Sequence, residues 1–145
     1  MKNFKKIILI LTTVFSFIAC SKEDETPKST LIGQWEYSKI GVMNSQNQEE
    51  LYSYENGCST KKDYIQFSST NNFTQTHHRT DCEAMAENST YTSSNGIIHF
   101  YDQGVEASFY YRIISLTATE LKIQQMPTRS GRMASGYDIV LFTKK

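Results

Sequence analysis

The chain has 145 residues, of which 39% are hydrophobic and 12% are aromatic. This share of large apolar side chains is too high for a disordered chain, and two prolines exclude a proline-rich spacer. The 15 basic and 15 acidic residues balance, which excludes an extensive basic surface for nucleic acid. The length allows one domain with one core and leaves no room for a second, regulatory domain.

The first 19 residues have the order of a secretory signal peptide. Three lysines precede the apolar run from Ile7 to Ala19, which is shorter than the roughly 20 residues that a helix needs to cross a bilayer. The run ends in Phe17-Ile18-Ala19-Cys20, which resembles the lipobox of bacterial lipoproteins. That resemblance implies that residues 1–19 are cleaved and that Cys20 becomes the lipidated first residue. The alternative is an ordinary cleaved signal peptide followed by a stray cysteine.

Residues 20–30 are charged and polar and predict a solvated tether. Their acidic cluster, from Ser21 to Glu25, resembles the surface-export signal that some gram-negative lipoproteins carry after the lipidated cysteine. We therefore expect the protein to be anchored to the outer membrane through Cys20 and to face the cell surface. The alternative is a periplasm-facing domain on a plain charged linker. Without residues 1–19 the chain has 12 basic and 15 acidic residues and is mildly acidic.

Three cysteines are an odd number for an exported protein, but lipidation of Cys20 leaves Cys58 and Cys82 as a pair. In an oxidising compartment such a pair predicts a disulfide. A redox-active pair would more often occur as Cys-x-x-Cys, and a zinc site would need four ligands at short spacing. Neither pattern is present in the sequence.

From Leu31 onward, short β-branched and aromatic runs alternate with Asn, Gly, Ser and Asp clusters, which predicts strands throughout. Tight turns with the left-handed residues of hairpins are predicted at Thr70-Asn71-Asn72, Ser94-Asn95-Gly96 and Asp102-Gln103-Gly104. A single helical turn capped by Asp81 is predicted over Asp81 to Glu87. The predicted strands are Ile32 to Val42, Leu51 to Glu55, Asp63 to Ser68, Phe73 to Thr80, Ser89 to Thr92, Ile97 to Tyr101, Ala107 to Leu116, Glu120 to Gln125, and Tyr137 to Thr143.

The alternation along one strand indicates a partly wet interior. The strand from Phe73 to Thr80 carries Gln75 and His77 on one face and Thr76 and His78 on the other. A strand with polar residues on both faces suits the wall of a barrel better than the middle of a packed sandwich. Eight or nine strands account for the whole domain, and an up-and-down barrel of that size can enclose one small ligand.

The segment Leu31-Ile32-Gly33-Gln34-Trp35 resembles the Gly-x-Trp start of the first strand in lipocalins and lipocalin-like bacterial lipoproteins. The run from Gly57 to Cys82 resembles the paired-cysteine hairpin of that family, and Asp138 to Lys144 resembles its closing strand. The resemblance implies an all-β fold for residues 31–145, an antiparallel up-and-down lipocalin-like β-barrel of about eight strands. It also implies that Trp35 closes one end of the barrel as a core residue and that Gly33 lets the chain turn onto it.

The sequence carries no pattern that predicts catalysis. His77 and His78 are consecutive on a strand and point to opposite faces, so they cannot share a metal without a bulge. One of them could pair with His99 across strands, although an exposed or core histidine is the simpler interpretation. The chain contains no Gly-x-Ser-x-Gly, His-Glu-x-x-His or phosphate-loop motif. We therefore expect no enzyme activity, no cofactor and no metal.

Tyrosines are the main candidates for ligand binding, because each offers a rigid apolar wall with a hydroxyl at its end. Sheet packing is the competing interpretation for any one of them. The segment Pro127 to Gly136 is longer than a hairpin needs, and its two arginines either hold an anionic group or belong to a solvated loop. The predicted ligand-binding residues are Tyr64, Tyr101, Tyr111, Arg112, Arg129 and Arg132.

Together these patterns predict a membrane-anchored, surface-exposed lipoprotein whose barrel binds a small apolar or amphipathic molecule. Its expected partners are that ligand and the membrane, with no nucleic acid, and we expect a monomer. The alternative is a non-enzymatic surface interaction module in which side chains fill the barrel and the loops contact a protein or a glycan. Inward residues separate the two hypotheses, because small ones leave a cavity and large ones fill it.

Overall fold

The computed structural model of the chain describes residues 30–102, 107–127 and 138–145. In that part of the chain there are nine β-strands and no helix. Each strand corresponds to one predicted from the sequence, and the seventh and eighth match the predicted bounds at both ends. The strands are β1 (Gly33–Met43), β2 (Glu49–Ser53), β3 (Tyr64–Phe67), β4 (Asn72–His78), β5 (Ala84–Ser94), β6 (Ile97–Asp102), β7 (Ala107–Leu116), β8 (Glu120–Gln125) and β9 (Ile139–Lys144).

The strands form one closed antiparallel barrel. Their order follows the chain from β3 to β9, and β9 returns to pair with β1. β2 and β3 pair with the same edge of β1, β2 with residues 39–43 and β3 with residues 33–36. These two short strands therefore lie end to end and fill one position, which gives a ring of eight. This confirms the predicted all-β, up-and-down barrel.

The predicted helical turn at residues 81–87 is wrong, because the chain is already extended there. β5 begins at Ala84, which pairs with His78 in β4. The cross-strand hydrogen bonds satisfy backbone groups that an isolated helical turn would leave unpaired. Asp81 caps a turn instead, since its side-chain oxygen accepts a hydrogen bond from the Glu83 backbone N–H at 3.0 Å.

Two of the predicted tight turns are present. Asn71, between β3 and β4, has a φ of 63°, and Asn95 and Gly96, between β5 and β6, have φ values of 50° and 74°. Two successive left-handed residues are the usual geometry of a two-residue hairpin. The third predicted turn, at Asp102-Gln103-Gly104, extends beyond the described residues.

One end of the barrel is closed by apolar side chains around Trp35. The indole is fully buried, and its N–H donates a hydrogen bond to the Leu31 carbonyl at 2.8 Å. The Lys144 ammonium lies 4.9 Å from the centre of the indole, within cation–π range. Gly33 has a φ of 131°, which L side chains rarely adopt. The buried cluster around the indole comprises Ile65, Phe67, Tyr91, Ile98, Phe100, Leu121, Ile123 and Phe142.

A disulfide joins Cys58 to Cys82, as the sequence predicts. Cys58 lies between β2 and β3, and Cys82 lies between β4 and β5, so the bond ties together two connections at the end of the barrel opposite Trp35. The two cysteines are 24 residues apart, and cross-linking a loop of that size stabilises a fold by about 3 kcal/mol in the loop-entropy treatment. Beside the disulfide, a Cβ on Gly57 would lie only 2.2 Å from the His78 carbonyl oxygen, so this connection packs tightly against β4.

Every strand of the ring lies between Gly33 and Lys144. The strand pairings that close the barrel therefore all lie within residues 30–145. Among the described residues, none belongs to a helix with the length and apolar character that crossing a bilayer requires.

The wall of the barrel is interrupted between β2 and β3. The chain leaves the edge of β1 after Tyr54, whose N–H donates to the Ser38 carbonyl at 3.0 Å. It returns at Asp63, whose carbonyl accepts from the Tyr37 N–H at 3.1 Å. The connection in between carries Cys58 and replaces the middle of what would otherwise be one continuous strand.

The carboxylate of Asp63 occupies the gap that this interruption leaves beside β4. β4 pairs with β3 only up to Thr76, and Asp63 is 2% exposed. One carboxylate oxygen accepts hydrogen bonds from the His78 backbone N–H at 2.7 Å and from the His78 ring at 3.2 Å. The other accepts from the Tyr54 hydroxyl at 2.6 Å and from the His77 ring at 3.2 Å. A side chain thus replaces backbone pairing at this point of the wall.

Burial by itself would raise the pKa of the Asp63 carboxyl. The hydrogen bonds from Tyr54, from the His78 backbone and from both imidazoles favour the ionised form and outweigh burial, so the pKa lies below its usual value. Such a carboxylate stabilises the folded protein above the ordinary aspartate pKa of about 4. That stabilisation is lost as the pH falls through the lower pKa of the folded state.

Replacing Asp63 with Asn should lower the free energy of unfolding by about 3 kcal/mol at neutral pH, because a buried amide nitrogen would then face O–H and N–H donors. The measurement is urea unfolding of residues 30–145 from neutral pH into the acid range. The difference in stability between the parent and Asp63→Asn should shrink below about pH 4. The control is Asp81→Asn, at an exposed turn position. Equal unfolding free energies of the parent and Asp63→Asn at neutral pH would contradict this role.

Candidate functional site

The barrel encloses a cavity of about 460 Å³ next to the apolar cluster of the closed end. Most of its wall is apolar and is formed by Ile40, Ile65, Phe73, Phe100, Phe109, Ile123, Val140 and Phe142. The side chains with polar atoms in the lining are Tyr37, Tyr54, Gln75, His77, Glu87, Asn88, Ser89 and Tyr111. A mostly apolar cavity with a few polar groups is the usual form of a small-molecule site.

The cavity reaches solvent beside the first half of β5. Residues 90–94 of β5 pair with β6, whereas residues 84–89 pair, among the described residues, only with β4. Glu87 and Asn88 line the cavity and are exposed, and the His77 side chain is 38% exposed. The mouth therefore lies on the β5 side, away from the end that Trp35 closes.

The polar groups of the cavity form a chain of hydrogen bonds. The Gln75 amide nitrogen lies 2.9 Å from the Tyr37 hydroxyl and 2.6 Å from Nε2 of His77. An amide nitrogen has two N–H donors, one for each of these neighbours. Nε2 of His77 therefore accepts, and the ring proton resides on Nδ1, which donates to Asp63. The Tyr37 ring is held in turn by stacking on Tyr54, with the ring centres 4.6 Å apart.

The three tyrosines of the cavity remain protonated. Burial raises the pKa of Tyr37, and Tyr54, Tyr111, Asp63 and Glu87 raise it further through their electrostatic effect. Burial also raises the pKa of Tyr54, with a further contribution from its hydrogen bond to Asp63, and burial raises the pKa of Tyr111. The three hydroxyls are thus neutral at physiological pH, and those of Tyr37 and Tyr111 can donate hydrogen bonds into the cavity.

The consecutive histidines lie on opposite faces of the wall. His77 lines the cavity, and His78 lines a depression on the outer surface. Both rings nevertheless contact Asp63, because its carboxylate lies within the wall and presents one oxygen to each side. Nowhere in the described residues do three His, Cys, Asp or Glu side chains come together as a potential metal site.

Of the predicted ligand-binding residues, Tyr111 lines the cavity. Tyr101 is 40% exposed on the outer face of β6, and Arg112 is exposed on the outer face of β7. Tyr64 lines the outer depression beside His78. Successive residues of a strand point to opposite faces, so each of these last three residues faces outward beside a neighbour that faces inward. The structure therefore does not bring Tyr64, Tyr101 or Arg112 to the cavity.

The outer depression is separate from the cavity, and most of the side chains that line it are polar or charged. It has a volume of about 320 Å³ and is lined by Gln34, Glu36, Thr60, Lys61, Lys62, Tyr64, His78 and Lys145. The remaining two predicted ligand-binding residues, Arg129 and Arg132, lie outside the described residues.

Most of the polar wall cannot be recognised from the sequence alone. The alternation of Phe73, Gln75 and His77 identified one face of β4 and a wet interior, and this face does line the cavity. It did not show which residues face it from β1 and β5. Tyr37 and Glu87 are supplied by those strands, and only the strand register brings Glu87 opposite Gln75.

Comparisons with known proteins agree with this architecture. The model of the lipocalin-like domain family matches residues 31–123, well over half of the chain. A lipocalin-like protein from Bacteroides uniformis ATCC 8492 has a similar structure, with 12% identity and a TM-score of 0.54, over 79% of this chain and 98% of that one. A protein from Bacteroides eggerthii DSM 20697, described as uncharacterized, is similar at 8% identity and a TM-score of 0.55, over 80% of this chain and 100% of that one.

At these identities the two structures support the fold alone. Among curated proteins, none matches the sequence significantly. The family match and the closed eight-position barrel, with Trp35 buried at one end, lead to one conclusion: the chain belongs to the lipocalin-like domain family.

Proposed function

We propose that the protein is a membrane-anchored lipoprotein whose barrel binds one small apolar or amphipathic molecule. The observation that carries this proposal is the cavity of about 460 Å³ inside the barrel. Its volume lies within the range of about 300–1,000 Å³ that small-molecule sites occupy. The mostly apolar wall suits the body of such a molecule, and the hydrogen-bonded side around Gln75 suits a polar end.

A barrel filled by its own side chains is less consistent with these positions. The large residues Trp35 and Phe67 are fully buried in the cluster at the closed end. Nearer the mouth, β5 contributes Ser89 and Glu87 to the cavity, a small side chain and a flexible one. We propose no catalytic role, because the hydrogen bonds among Gln75, His77 and Asp63 orient these side chains and, within the described part of the chain, join none of them to a serine or cysteine nucleophile.

Replacing Ser89 with Trp should block ligand binding. Ser89 pairs with Phe73 and lines the cavity, so an indole at this position would occupy the space of a ligand. The measurement is titration of residues 30–145 with the neutral probe N-phenyl-1-naphthylamine, whose fluorescence rises in an apolar site. We expect the dissociation constant of Ser89→Trp to be at least about tenfold higher than that of the parent.

The matched control is Thr90→Trp, because Thr90 is exposed and points away from the cavity on the same strand. It should bind the probe as the parent does, and the melting temperatures of both variants should show that they fold. Equal affinities of Ser89→Trp and Thr90→Trp would mean that the probe does not bind in the barrel.

The proposed membrane anchor is a lipid on Cys20. It rests on the apolar run that ends in Ala19-Cys20 and on the charged tether that follows. Two acyl chains hold a protein at a bilayer stably, whereas one chain does so only marginally. We further propose that the domain is a monomer on the outer membrane that faces the cell surface.

Cys20→Ala should abolish incorporation of a palmitate analogue during growth of a gram-negative host, because the acyl chains require the cysteine sulfur and the new N-terminus. Ser21→Ala, one residue further on, is the control and should label as the parent does. Labelling of Cys20→Ala would contradict the anchor. Protease added to intact cells should degrade the barrel, and degradation only after the outer membrane is permeabilised would favour the periplasm-facing alternative.

A further inference from the structure

The described residues that surround the cavity carry acidic groups without basic ones. None of the described residues that line it is a lysine or an arginine, and Glu87 is the one acid among them. A second carboxylate, that of Asp63, lies directly behind Tyr54 and His77, within hydrogen-bonding distance of both. Asp63 is buried, which weakens solvent screening of its charge, and together with Glu87 at the mouth it makes the potential in the polar half of the cavity negative. The pKa of Tyr37 is raised mainly by burial, then by Tyr54 and Tyr111, and the two acids add smaller contributions of the same sign.

The Glu87 side chain is placed where it can contact a ligand in the cavity. It lies opposite Gln75 in the β4–β5 register, on the face that lines the cavity, and it is exposed at the mouth. It forms no hydrogen bond or ion pair with any described residue, whereas Glu83, in the connection just before β5, pairs with Arg79 at 3.7 Å. The carboxylate of Glu87 is thus an unused acceptor.

On this side of the cavity, the groups that remain available to a ligand are mainly hydrogen-bond acceptors. Both N–H groups of Gln75 are engaged, by Tyr37 and His77, so its carbonyl oxygen is left to accept. The hydroxyls of Tyr37 and Tyr111 can serve as donor or acceptor. A ligand group that donates several hydrogen bonds and carries a positive charge satisfies this set, and a carboxylate does not.

From this arrangement we propose that the ligand of the cavity is an apolar molecule with a protonated amine as its polar end, which Glu87 and the Gln75 carbonyl oxygen bind. The inference rests on the proposed function, because it specifies the head group of the ligand in the same cavity. The apolar body lies against the side of Phe100, Phe109 and Phe142, and the ammonium lies toward the mouth. Anionic amphiphiles such as free fatty acids are disfavoured, because their carboxylate would lie near two others without a compensating cation.

The test compares three ligands with the same alkyl chain. Dodecylamine, dodecanol and dodecanoate, each below its micelle concentration and at physiological salt, compete with N-phenyl-1-naphthylamine for residues 30–145. We expect dodecylamine to compete most strongly, by at least about tenfold over dodecanoate. Dodecanoate competing as well as dodecylamine would overturn the inference while leaving a ligand-binding barrel. Failure of the probe itself to bind would instead contradict the proposed function.

A variant pair assigns the preference to Glu87. Glu87→Gln keeps the size of the side chain and removes its charge, and Glu83→Gln does the same at a side chain that is 69% exposed in the neighbouring turn. Glu87→Gln should reduce the ratio of dodecylamine to dodecanol affinity by about tenfold, and Glu83→Gln should leave that ratio at the parent value. An unchanged ratio in Glu87→Gln would overturn the role of this carboxylate.

Discussion

The barrel depends on a buried carboxylate at the place where its wall is interrupted between β2 and β3. β2 and β3 would be a single strand along β1 if the chain did not leave between Tyr54 and Asp63. Asp63 replaces the missing backbone partner by accepting the His78 N–H. An unpaired buried N–H or an unpaired buried carboxylate would each cost stability, and the contact between them satisfies both.

The same carboxylate also organises the cavity. By accepting from Nδ1 of His77 it fixes the ring tautomer, which leaves Nε2 free to accept from Gln75. Gln75 then donates to Tyr37, whose ring stacks on Tyr54, and Tyr54 donates back to Asp63. The polar wall is therefore ordered before any ligand arrives, and preorganisation of this kind lowers the entropic cost of binding. The interruption of the strand, which weakens the wall, is also what brings Tyr54 into the barrel.

The two ends of the barrel are stabilised in different ways. At the closed end, Trp35 and the apolar cluster around it supply the burial that stabilises the fold, with Lys144 over the indole. At the open end, stability comes from local links, namely the disulfide and the contacts of Asp63, and the interior is left unfilled. Residues that line the cavity at the open end can therefore be substituted without disrupting the apolar core at the closed end.

Much of the fold follows from the sequence. Short runs of β-branched and aromatic residues, separated by Asn, Gly, Ser and Asp clusters, predict all nine strands, because the sequence shows these residue preferences directly. The disulfide follows from counting cysteines. The segment from Ala84 to Glu87 was missed, since its helix-forming residues become a strand only through pairing with β4. Nothing in the sequence around Asp63 distinguishes it from an exposed aspartate, because its burial depends on two connections meeting in space.

The site was predictable only in part for the same reason. The residues Gln75 and His77 stand on one strand face and are visible as a pattern, whereas Glu87 and Tyr37 join them through the register of other strands. The sequence favours Tyr64 and Tyr101 as strongly as Tyr111. Only the closed barrel shows that Tyr111 faces inward, whereas the other two face outward.

The most direct test of a ligand-binding barrel is native mass spectrometry of the protein purified from its natural host in mild detergent, compared with the same sample after denaturation. We expect an excess mass in the native spectrum that equals one small amphiphile and disappears on denaturation. This excess should be absent when Ser89→Trp is expressed in the same host. A native mass equal to that of the polypeptide with its disulfide and anchor alone would contradict a ligand-binding barrel.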